Sequence, residues 1–311
     1  MGVSEVAVAG QIARDLVLEL PELPPAGTAA AVRHRQETLG GKGANIAVSL
    51  AQLGASVSLI GVVGDDGVAD SILDRARADG IDTTPVIHRP GVETGLIVEL
   101  LTEGGRWRYL EHLPPQVLLT EADIAAAAPA LTGASSVVLQ LQQPIDAVLA
   151  AARTAKNAGA RVVLDGTPAD DPRGRELLPL ADVLRLDQHE GELLTGYRLD
   201  SADAALRAGR ELLRQGPSLV ALAAGEDGNV FAWGDEHVVL PLTGGDPVDT
   251  TGGGDALVAA LTFALTRGAS PPRAAALAVA ASGATVARAG GRPDLAAGAL
   301  APHLAELNTR G

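Results

Sequence analysis

The chain has no cysteine, very few aromatic residues and a clear deficit of positive charge. Without cysteine, none of its 311 residues can form a disulfide bond or supply a thiolate nucleophile. The formal net charge of −14 at pH 7 argues against nucleic acid or an anionic membrane as a partner, because both need clustered Lys and Arg. A single anionic nucleotide is compatible with this charge, since it needs only a local positive field.

Long uncharged apolar runs are also missing. None approaches the ~20 residues of a membrane-spanning helix. The N-terminus shows no basic region followed by an apolar stretch, as an export signal would. The six histidines are scattered without the spacing of metal ligands, so no transition-metal site is expected. We therefore expect a cytoplasmic protein.

Apolar residues make up 47% of the chain, and short apolar segments alternate with segments of helical periodicity. This alternation predicts an α/β fold with three layers, in which helices cover both faces of a mostly parallel central sheet. One domain over residues 1–311 is expected, with ligands at the carboxyl ends of the strands. Strands are predicted at 6–10, 57–63, 136–141, 161–164, 183–186, 219–223 and 230–233, and helices at 44–53, 68–78, 145–157, 256–266 and 272–287.

Two excursions, at about 15–38 and 94–112, interrupt this alternation. In both, apolar and polar residues alternate as in half-buried strands, and Gly104-Gly105 would turn a hairpin in the second. The pattern predicts a small antiparallel sheet standing off the main body. Because such a sheet is only marginally stable alone, substrate or a second subunit must cover one face. For Trp107 and Tyr109 in the second excursion, packing between subunits is favoured over stacking on substrate.

The first motif, Gly40-Gly41-Lys42-Gly43-Ala44-Asn45, precedes a predicted helix. It is not a Walker-type phosphate loop, because Gly43 follows the lysine where Ser or Thr is needed, and it is not a dinucleotide-binding G-x-G-x-x-G. Its glycines let the backbone approach a polar ligand, and Asn45 can both donate to and accept from hydroxyl groups. The alternative is an ordinary strand-to-helix turn with an incidental Lys and Asn.

The second motif, Asp249-Thr250-Thr251-Gly252-Gly253-Gly254-Asp255, leads into the apolar segment 256–261. Three glycines opening a helix expose amides that have no intrahelical partner and that favour an anion. An acid would be unexpected in a turn that only binds phosphate, because it would repel the ligand. It is explained if Asp255 removes a proton from a hydroxyl group while the amides neutralise the charge on a transferring phosphoryl group. That layout suits a kinase for small alcohols. The alternative is a first-turn acid that the helix dipole stabilises.

Together, the two motifs and their spacing resemble those of the ribokinase-like (PfkB) carbohydrate kinase family, and the resemblance covers essentially the whole chain. The segment Gln140-Leu141-Gln142-Gln143-Pro144 also resembles the family's strand-end segment near the sugar. The resemblance implies that Asp255 is the catalytic base and that the excursions form a lid, which also clasps a dimer. It implies an anion hole of Gly252, Gly253 and Gly254, and sugar contacts from Asp15, Gly40, Gly41, Lys42, Asn45 and Gln142.

The resemblance further implies ATP with Mg²⁺ as the phosphoryl donor, and activation by a monovalent cation, often K⁺. Asp249 and Thr251 are expected to contact the K⁺, with carbonyl groups from the loop 287–291. Glu190 is expected to reach Mg²⁺ through water, since Mg²⁺ prefers oxygen ligands. The alternative for Asp187 and Glu190 is a pair of acids at a helix N-terminus. The expected nucleotide contacts are Asp187, Glu190, Gly225 and Gly228.

Four features depart from the family pattern. Asp187 stands where the family usually has Asn, and Gln142 stands where a glutamate helps to hold the sugar. Ala13 replaces an Asn that contacts ribose, and Pro114-Pro115-Gln116 replaces Gly-Ala-Asn in the lid. These changes leave the reaction class intact and the identity of the sugar open.

The sequence therefore predicts ATP-dependent phosphorylation of a primary hydroxyl group of a small sugar by a homodimer. An adenosine-type nucleoside kinase is an alternative, as are kinases for fructose or 2-keto-3-deoxygluconate. A sugar-binding sensor without activity is disfavoured, because Asp255 and the anion-hole glycines are retained. Neither nucleic acid nor a membrane is predicted as a partner.

Overall fold

The structure is a computed structural model and describes residues 5–103, 106–168, 171–288 and 292–310. Its strands are β1 (Val6–Ala9), β2 (Ala13–Leu20), β3 (His34–Gly40), β4 (Val57–Ile60), β5 (Val62–Gly64), β6 (Ile87–Arg89), β7 (Leu96–Thr102), β8 (Arg106–His112), β9 (Ser136–Gln140), β10 (Arg161–Asp165), β11 (Val183–Leu186), β12 (Leu219–Ala223), β13 (Asn229–Trp233) and β14 (Glu236–Leu240). Its helices are α1 (Lys42–Gln52), α2 (Gly67–Ala78), α3 (Glu121–Ala126), α4 (Ala128–Gly133), α5 (Ile145–Asn157), α6 (Pro172–Arg175), α7 (Gln188–Thr195), α8 (Ala202–Leu213), α9 (Gly253–Thr266), α10 (Pro271–Val286) and α11 (Ala297–Arg310).

Eight strands form the central sheet, in the order β14-β13-β12-β11-β10-β9-β1-β4. Six of these strands, β4, β1, β9, β10, β11 and β12, are parallel to one another, whereas β13 is antiparallel to β12 and β14 is antiparallel to β13. Side chains alternate between two apolar cores: Val6 and Val8 face the core under α1, α2, α9 and α10, while Ala7 and Ala9 face the core under α3, α4, α5 and α8. The predicted three-layer α/β fold is confirmed.

The two excursions supply a second sheet, in the order β3-β2-β7-β8, which we call the lid sheet. The β2–β3 and β7–β8 pairs are antiparallel, and the central β2–β7 pair is parallel. Because strand side chains alternate, the lid sheet has an inner face toward a cavity and an outer face. The inner face carries Asp15, Ile97, Trp107, Tyr109 and Glu111. The hairpin turn predicted at Gly104-Gly105 lies outside the described residues.

One predicted strand, 57–63, is two strands. It breaks at Gly61, where a Cβ atom would lie 2.6 Å from Cδ1 of Ile12 and 2.8 Å from the carbonyl oxygen of Gly10. β4 therefore stays in the central sheet, while β5 pairs with β6. Within the described ranges, no helix combines the length and apolar character needed to cross a membrane.

Candidate active site

The two glycine-rich motifs meet where α1 and α9 begin. α1 begins at Lys42, and α9 begins at Gly253 after the N-cap residue Gly252. Gly252 has a φ of 73°, a left-handed conformation that glycine adopts without strain. Asn45 Nδ2 donates a hydrogen bond of 3.0 Å to Asp255 Oδ2, although 210 positions separate the two residues in sequence. The predicted sugar motif and the predicted anion hole therefore lie in one site.

A cavity of about 370 Å³ separates the lid sheet from the starts of α1 and α9. It lies at the carboxyl ends of the central strands, where α/β sheets bind ligands. Six of the predicted site residues do not line this cavity: Gly40, Glu190, Gly225, Gly228, Asp249 and Gly253. Two of them, Gly40 and Gly253, are adjacent in sequence to residues that do line it. The predicted residues that line it are Asp15, Gly41, Lys42, Asn45, Gln142, Asp187, Thr251, Gly252, Gly254 and Asp255.

Asp255 is buried at the start of α9, with 6% of its surface exposed. Burial, together with the negative charge of Asp165, raises the pKa of Asp255 to about 6. The charge of Lys42 and the hydrogen bond from Asn45 oppose this rise. Asp255 is therefore ionised at neutral pH yet more basic than an exposed aspartate, which suits a proton acceptor.

The side chain of Asp15 extends from β2 to the cavity and packs directly against Gly40. A Cβ atom on Gly40 would lie 1.8 Å from the Cγ atom of Asp15, so only glycine permits this approach. Asp15 Oδ1 is buried and has no hydrogen-bond partner among the described residues. Burial, together with the charge of Asp255, raises the pKa of Asp15 to about 7. A buried, unpaired carboxylate oxygen that faces a cavity is suited to receive a hydroxyl group of a ligand.

Arg185 also lines the candidate site, although neither sequence motif includes it. Its guanidinium Nη1 lies 3.1 Å from Asp165 Oδ1, and its side chain is mostly buried. A Cβ atom on Gly254 would lie 2.4 Å from Nη2 of Arg185, so the guanidinium group rests directly on the backbone of the second motif. The available signal was a single basic residue within the apolar strand Val183–Leu186. Arg185 adds a positive charge beside the backbone of Gly254 at the start of α9.

Asp187 and Glu190 form a capping box at the start of α7. Asp187 Oδ1 accepts from the Glu190 N–H at 2.7 Å, and Glu190 Oε2 accepts from the Asp187 N–H at 2.8 Å. Lys42 Nζ lies 3.9 Å from the second oxygen, Glu190 Oε1. Burial raises the pKa of Glu190, and the charge of Arg185 opposes this effect. The pair therefore caps a helix and also borders the cavity through Asp187.

Gly225 and Gly228 lie in the connection between β12 and β13, away from the cavity lining. Gly225 lies beside Gln188, since its Cβ atom would be 3.6 Å from Gln188 Oε1. Gly228 has a φ of 93°, and its Cβ atom would lie 2.2 Å from the carbonyl oxygen of Leu240. The turn itself therefore requires glycine at 228, whether or not a nucleotide binds there.

Residues 249–254, called the anion loop below, precede and open α9. Asp249 is 1% exposed, and its Oδ1 accepts from the Thr251 N–H at 2.9 Å. Part of the predicted cation loop, residues 289–291, lies outside the described residues. Within the part of the chain that the structure describes, no group of three or more His, Asp and Glu side chains could hold a metal ion. A Mg²⁺ ion here would need phosphate oxygens among its ligands, as is usual for this ion.

Trp107 and Tyr109 line the cavity on the inner face of the lid sheet. Their ring centroids are 4.8 Å apart, and each donor group points toward the anion loop. Within this chain, they therefore face the candidate site, whereas the expectation from the sequence is packing between subunits.

The sequence profile of the pfkB family of carbohydrate kinases matches residues 3–297. Ribokinase from Bacillus subtilis is 30% identical over 85% of this chain and 86% of its own length. Deoxyribokinase from Salmonella typhi is 30% identical over 82% and 83%. A bifunctional ribokinase/ribose-5-phosphate isomerase A from Fructilactobacillus sanfranciscensis is 30% identical over 84% of this chain, which spans only 48% of that protein.

Solved structures have the same fold. The structure of Arabidopsis thaliana ribokinase complexed with ribose and ATP superposes with a TM-score of 0.81 at 25% identity, over 98% of this chain and 99% of that one.

Proposed function

The chain belongs to the pfkB family of carbohydrate kinases, and on that premise we propose that it transfers the γ-phosphoryl group of ATP to a primary hydroxyl group of a small sugar. Family membership makes it a phosphotransferase that acts on sugar and ATP. The observation that carries the finer proposal is the hydrogen bond of 3.0 Å between Asn45 and Asp255, which joins the proposed sugar-binding motif to the proposed base in the first turn of α9.

In the proposed reaction, Asp15, Asn45 and Gln142 orient the sugar so that one hydroxyl group faces Asp255. Asp255 accepts the hydroxyl proton while the sugar oxygen bonds to the γ-phosphorus. The bond from that phosphorus to the β,γ-bridging oxygen breaks, and ADP leaves with its electron pair. The amides at 252–254 and the guanidinium group of Arg185 would stabilise the charge on the phosphoryl oxygens. Phosphoryl transfer needs mainly such positioning and electrostatic support.

Two cations belong to the proposal. Mg²⁺ would be held near Asp187 and Glu190 and would neutralise charge on the ATP phosphates, because carboxylate oxygens suit this hard cation. K⁺ would be held by Asp249 and the Thr251 carbonyl group, where it would stiffen the anion loop. The buried position of Asp249 and its bond to the Thr251 N–H support a role in shaping that loop.

The substrate is proposed to be a pentose, because the relatives at about 30% identity are named ribokinase and deoxyribokinase. The test measures ADP release with ribose, deoxyribose, fructose, 2-keto-3-deoxygluconate and adenosine, each with K⁺ and with Na⁺. We expect a pentose to give the highest kcat/KM and K⁺ to exceed Na⁺. If a sugar raises the melting temperature but no compound on the panel releases ADP, the protein is a sensor and the proposal is wrong.

A nucleoside is the second candidate substrate. The rings of Trp107 and Tyr109 line the cavity, and aromatic faces of this kind can stack on a nucleobase. Higher kcat/KM for adenosine than for every free sugar on the same panel would favour this candidate.

The rate should depend on two carboxylates. Burial raises the pKa of Asp255 to about 6, and only its ionised form can accept a proton. Burial also raises the pKa of Asp15 to about 7. kcat/KM for the sugar should therefore decline below pH 7 and fall about tenfold or more per pH unit below pH 6. The Asp15→Asn variant should retain only the lower step. A profile that is flat through pH 6 in the wild type would contradict a base at Asp255.

The protein is proposed to dimerise through the outer face of the lid sheet. That face carries neighbouring apolar side chains on three paired strands, and Leu110 is 59% exposed there. Such a contiguous apolar patch is typical of an interface. The residues of this patch are Leu16, Leu18, Val98, Leu100 and Leu110.

Leu110→Glu should weaken the dimer at least about a hundredfold, because it buries an unpaired charge at the proposed interface. The matched control is Leu242→Glu, since Leu242 is 58% exposed but lies between β14 and α9. Light scattering during gel filtration gives the molar mass of each. A dimer that survives Leu110→Glu, or is equally weakened by Leu242→Glu, would rule out this interface.

A further inference from the structure

Three side chains of the lid sheet contact the anion loop. Trp107 Nε1 donates a hydrogen bond of 3.1 Å to Thr250 Oγ1. The hydroxyl group of Tyr109 is hydrogen-bonded to Thr251 Oγ1, which in turn donates to Glu99 Oε1 at 3.4 Å. Both loop threonines are thus bound to the lid, more than a hundred positions away in sequence.

Strand register brings these side chains together. Glu99 of β7 pairs directly with Tyr109 of β8, and Trp107 lies two positions before Tyr109, so all three point to the inner face. Asp15 of the neighbouring strand β2 also lies on that face and reaches the cavity. The same face of one sheet therefore carries the proposed sugar contact and the contacts to the anion loop.

The anion loop needs such a restraint because its sequence is permissive. Thr250 and Thr251 directly precede Gly252, where the backbone adopts a left-handed conformation before α9. Glycines leave a chain many accessible conformations, whereas amides stabilise a transferring phosphoryl group only when they are preorganised. Glu99 is 4% exposed, so its contact with Thr251 is buried, whereas Trp107 is 42% exposed and its bond to Thr250 lies nearer the surface.

We propose that Glu99, Trp107 and Tyr109 form a latch, through which closure of the lid over the sugar positions the anion loop for phosphoryl transfer. The inference rests on the proposed function, since it concerns the step in which the γ-phosphoryl group moves. The three are positioning residues, because they act on that group through Thr250 and Thr251. A loop aligned only when the lid is closed would also limit transfer of the phosphoryl group to water.

The latch is tested by removing single hydroxyl groups. Tyr109→Phe and Thr251→Val should each lower kcat about tenfold, as expected for the loss of a hydrogen bond that matters in the transition state. KM for the sugar should change less than about twofold, and Thr251→Ser, which keeps the hydroxyl group, should recover most of the kcat that Thr251→Val loses. The double variant should lose no more than Thr251→Val alone, because Thr251→Val already removes the bond to Tyr109 along with the bond to Glu99.

Two kinetic outcomes would overturn the latch. If KM for the sugar rises while kcat is kept, Tyr109 binds the sugar instead of the loop. If the losses of Tyr109→Phe and Thr251→Val multiply in the double variant, the two side chains act independently.

Fluorescence tests the latch without using activity. The chain has two tryptophans, so in a Trp233→Phe background the emission reports Trp107 alone. Thr250→Val should shift this emission, because it removes the acceptor of the indole N–H. Unchanged emission would overturn the latch. If the wild type releases no ADP with any sugar, the proposed function fails, and this measurement still decides whether the lid contacts the loop.

Discussion

Asp255→Asn is expected to lower kcat by roughly 10²–10⁴-fold, the usual contribution of a positioned general base. Asparagine has nearly the same shape and can still accept the hydrogen bond from Asn45, so the geometry of the site should be kept. What it loses is the capacity to take up a proton. The measurement is kcat at saturating ATP and sugar in an assay coupled to ADP release. Near-normal turnover would remove Asp255 from the mechanism.

The same variant should be more stable than the wild type at alkaline pH. Burial raises the pKa of Asp255 in the folded state to about 6, above its ordinary value of 3.8, so the folded protein binds this proton more tightly than the unfolded chain does. The contribution of this proton to the free energy of unfolding is therefore fully present below pH 3.8 and is lost as the pH rises through 6. At pH 8, Asp255→Asn should therefore raise the free energy of unfolding by about 3 kcal/mol, from about two pKa units at 1.36 kcal/mol each. Urea unfolding at pH 5 and pH 8 measures it.

Asp70→Asn is the matched control for both effects. Asp70 also lies in the first turn of a helix, α2, but it is exposed and outside the cavity. It should leave kcat unchanged and should not stabilise the protein at pH 8. An equal change in both variants would show that the effects belong to any acid at a helix N-terminus.

The layers of the fold follow from the periodicity of apolar residues. The predicted strands at 183–186 and 219–223 and the predicted helix at 145–157 match the structure residue for residue. Strand 219–223 is apolar throughout, strand 183–186 is apolar except for Arg185, and the helix is apolar along one stripe, so burial of apolar residues largely fixes all three. The strand break at Gly61 depends on the approach of Ile12 and Gly10, which are about fifty positions away, and no local pattern carries that information.

The site was predictable where backbone chemistry dictates residue type. The backbone at position 252 is left-handed, and the carboxylate of Asp15 lies where a Cβ atom of residue 40 would be. Both positions therefore require glycine, and the glycines are visible in the sequence. Arg185 was missed because its partners, Asp165 and Gly254, come together only across adjacent strands and a helix start. The lid contacts to Thr250 and Thr251 were hidden for the same reason: they join distant segments.

Gly40→Ala should raise KM for the sugar about a hundredfold, which is the second large effect we expect. The new Cβ atom would fall 1.8 Å from Cγ and 1.9 Å from Oδ2 of Asp15, so the carboxylate must rotate away. Asp15 Oδ1 is the buried, unpaired oxygen proposed to receive a sugar hydroxyl group. Its displacement removes a charge-assisted hydrogen bond to the substrate, whereas Asp255 and the anion loop stay in place. kcat should therefore fall much less than kcat/KM.

Two comparisons determine whether the loss runs through Asp15. Gly67→Ala is the matched control, because Gly67 has no positive φ and a Cβ atom there would meet nothing within 4 Å. It should leave KM unchanged. Asp15→Ala should raise KM by a similar factor to Gly40→Ala, and the double variant should be no worse than either, since both remove one contact. Multiplying losses would mean that Gly40 serves the sugar through its own backbone, and an unchanged KM in Gly40→Ala would mean that Asp15 is not a sugar ligand.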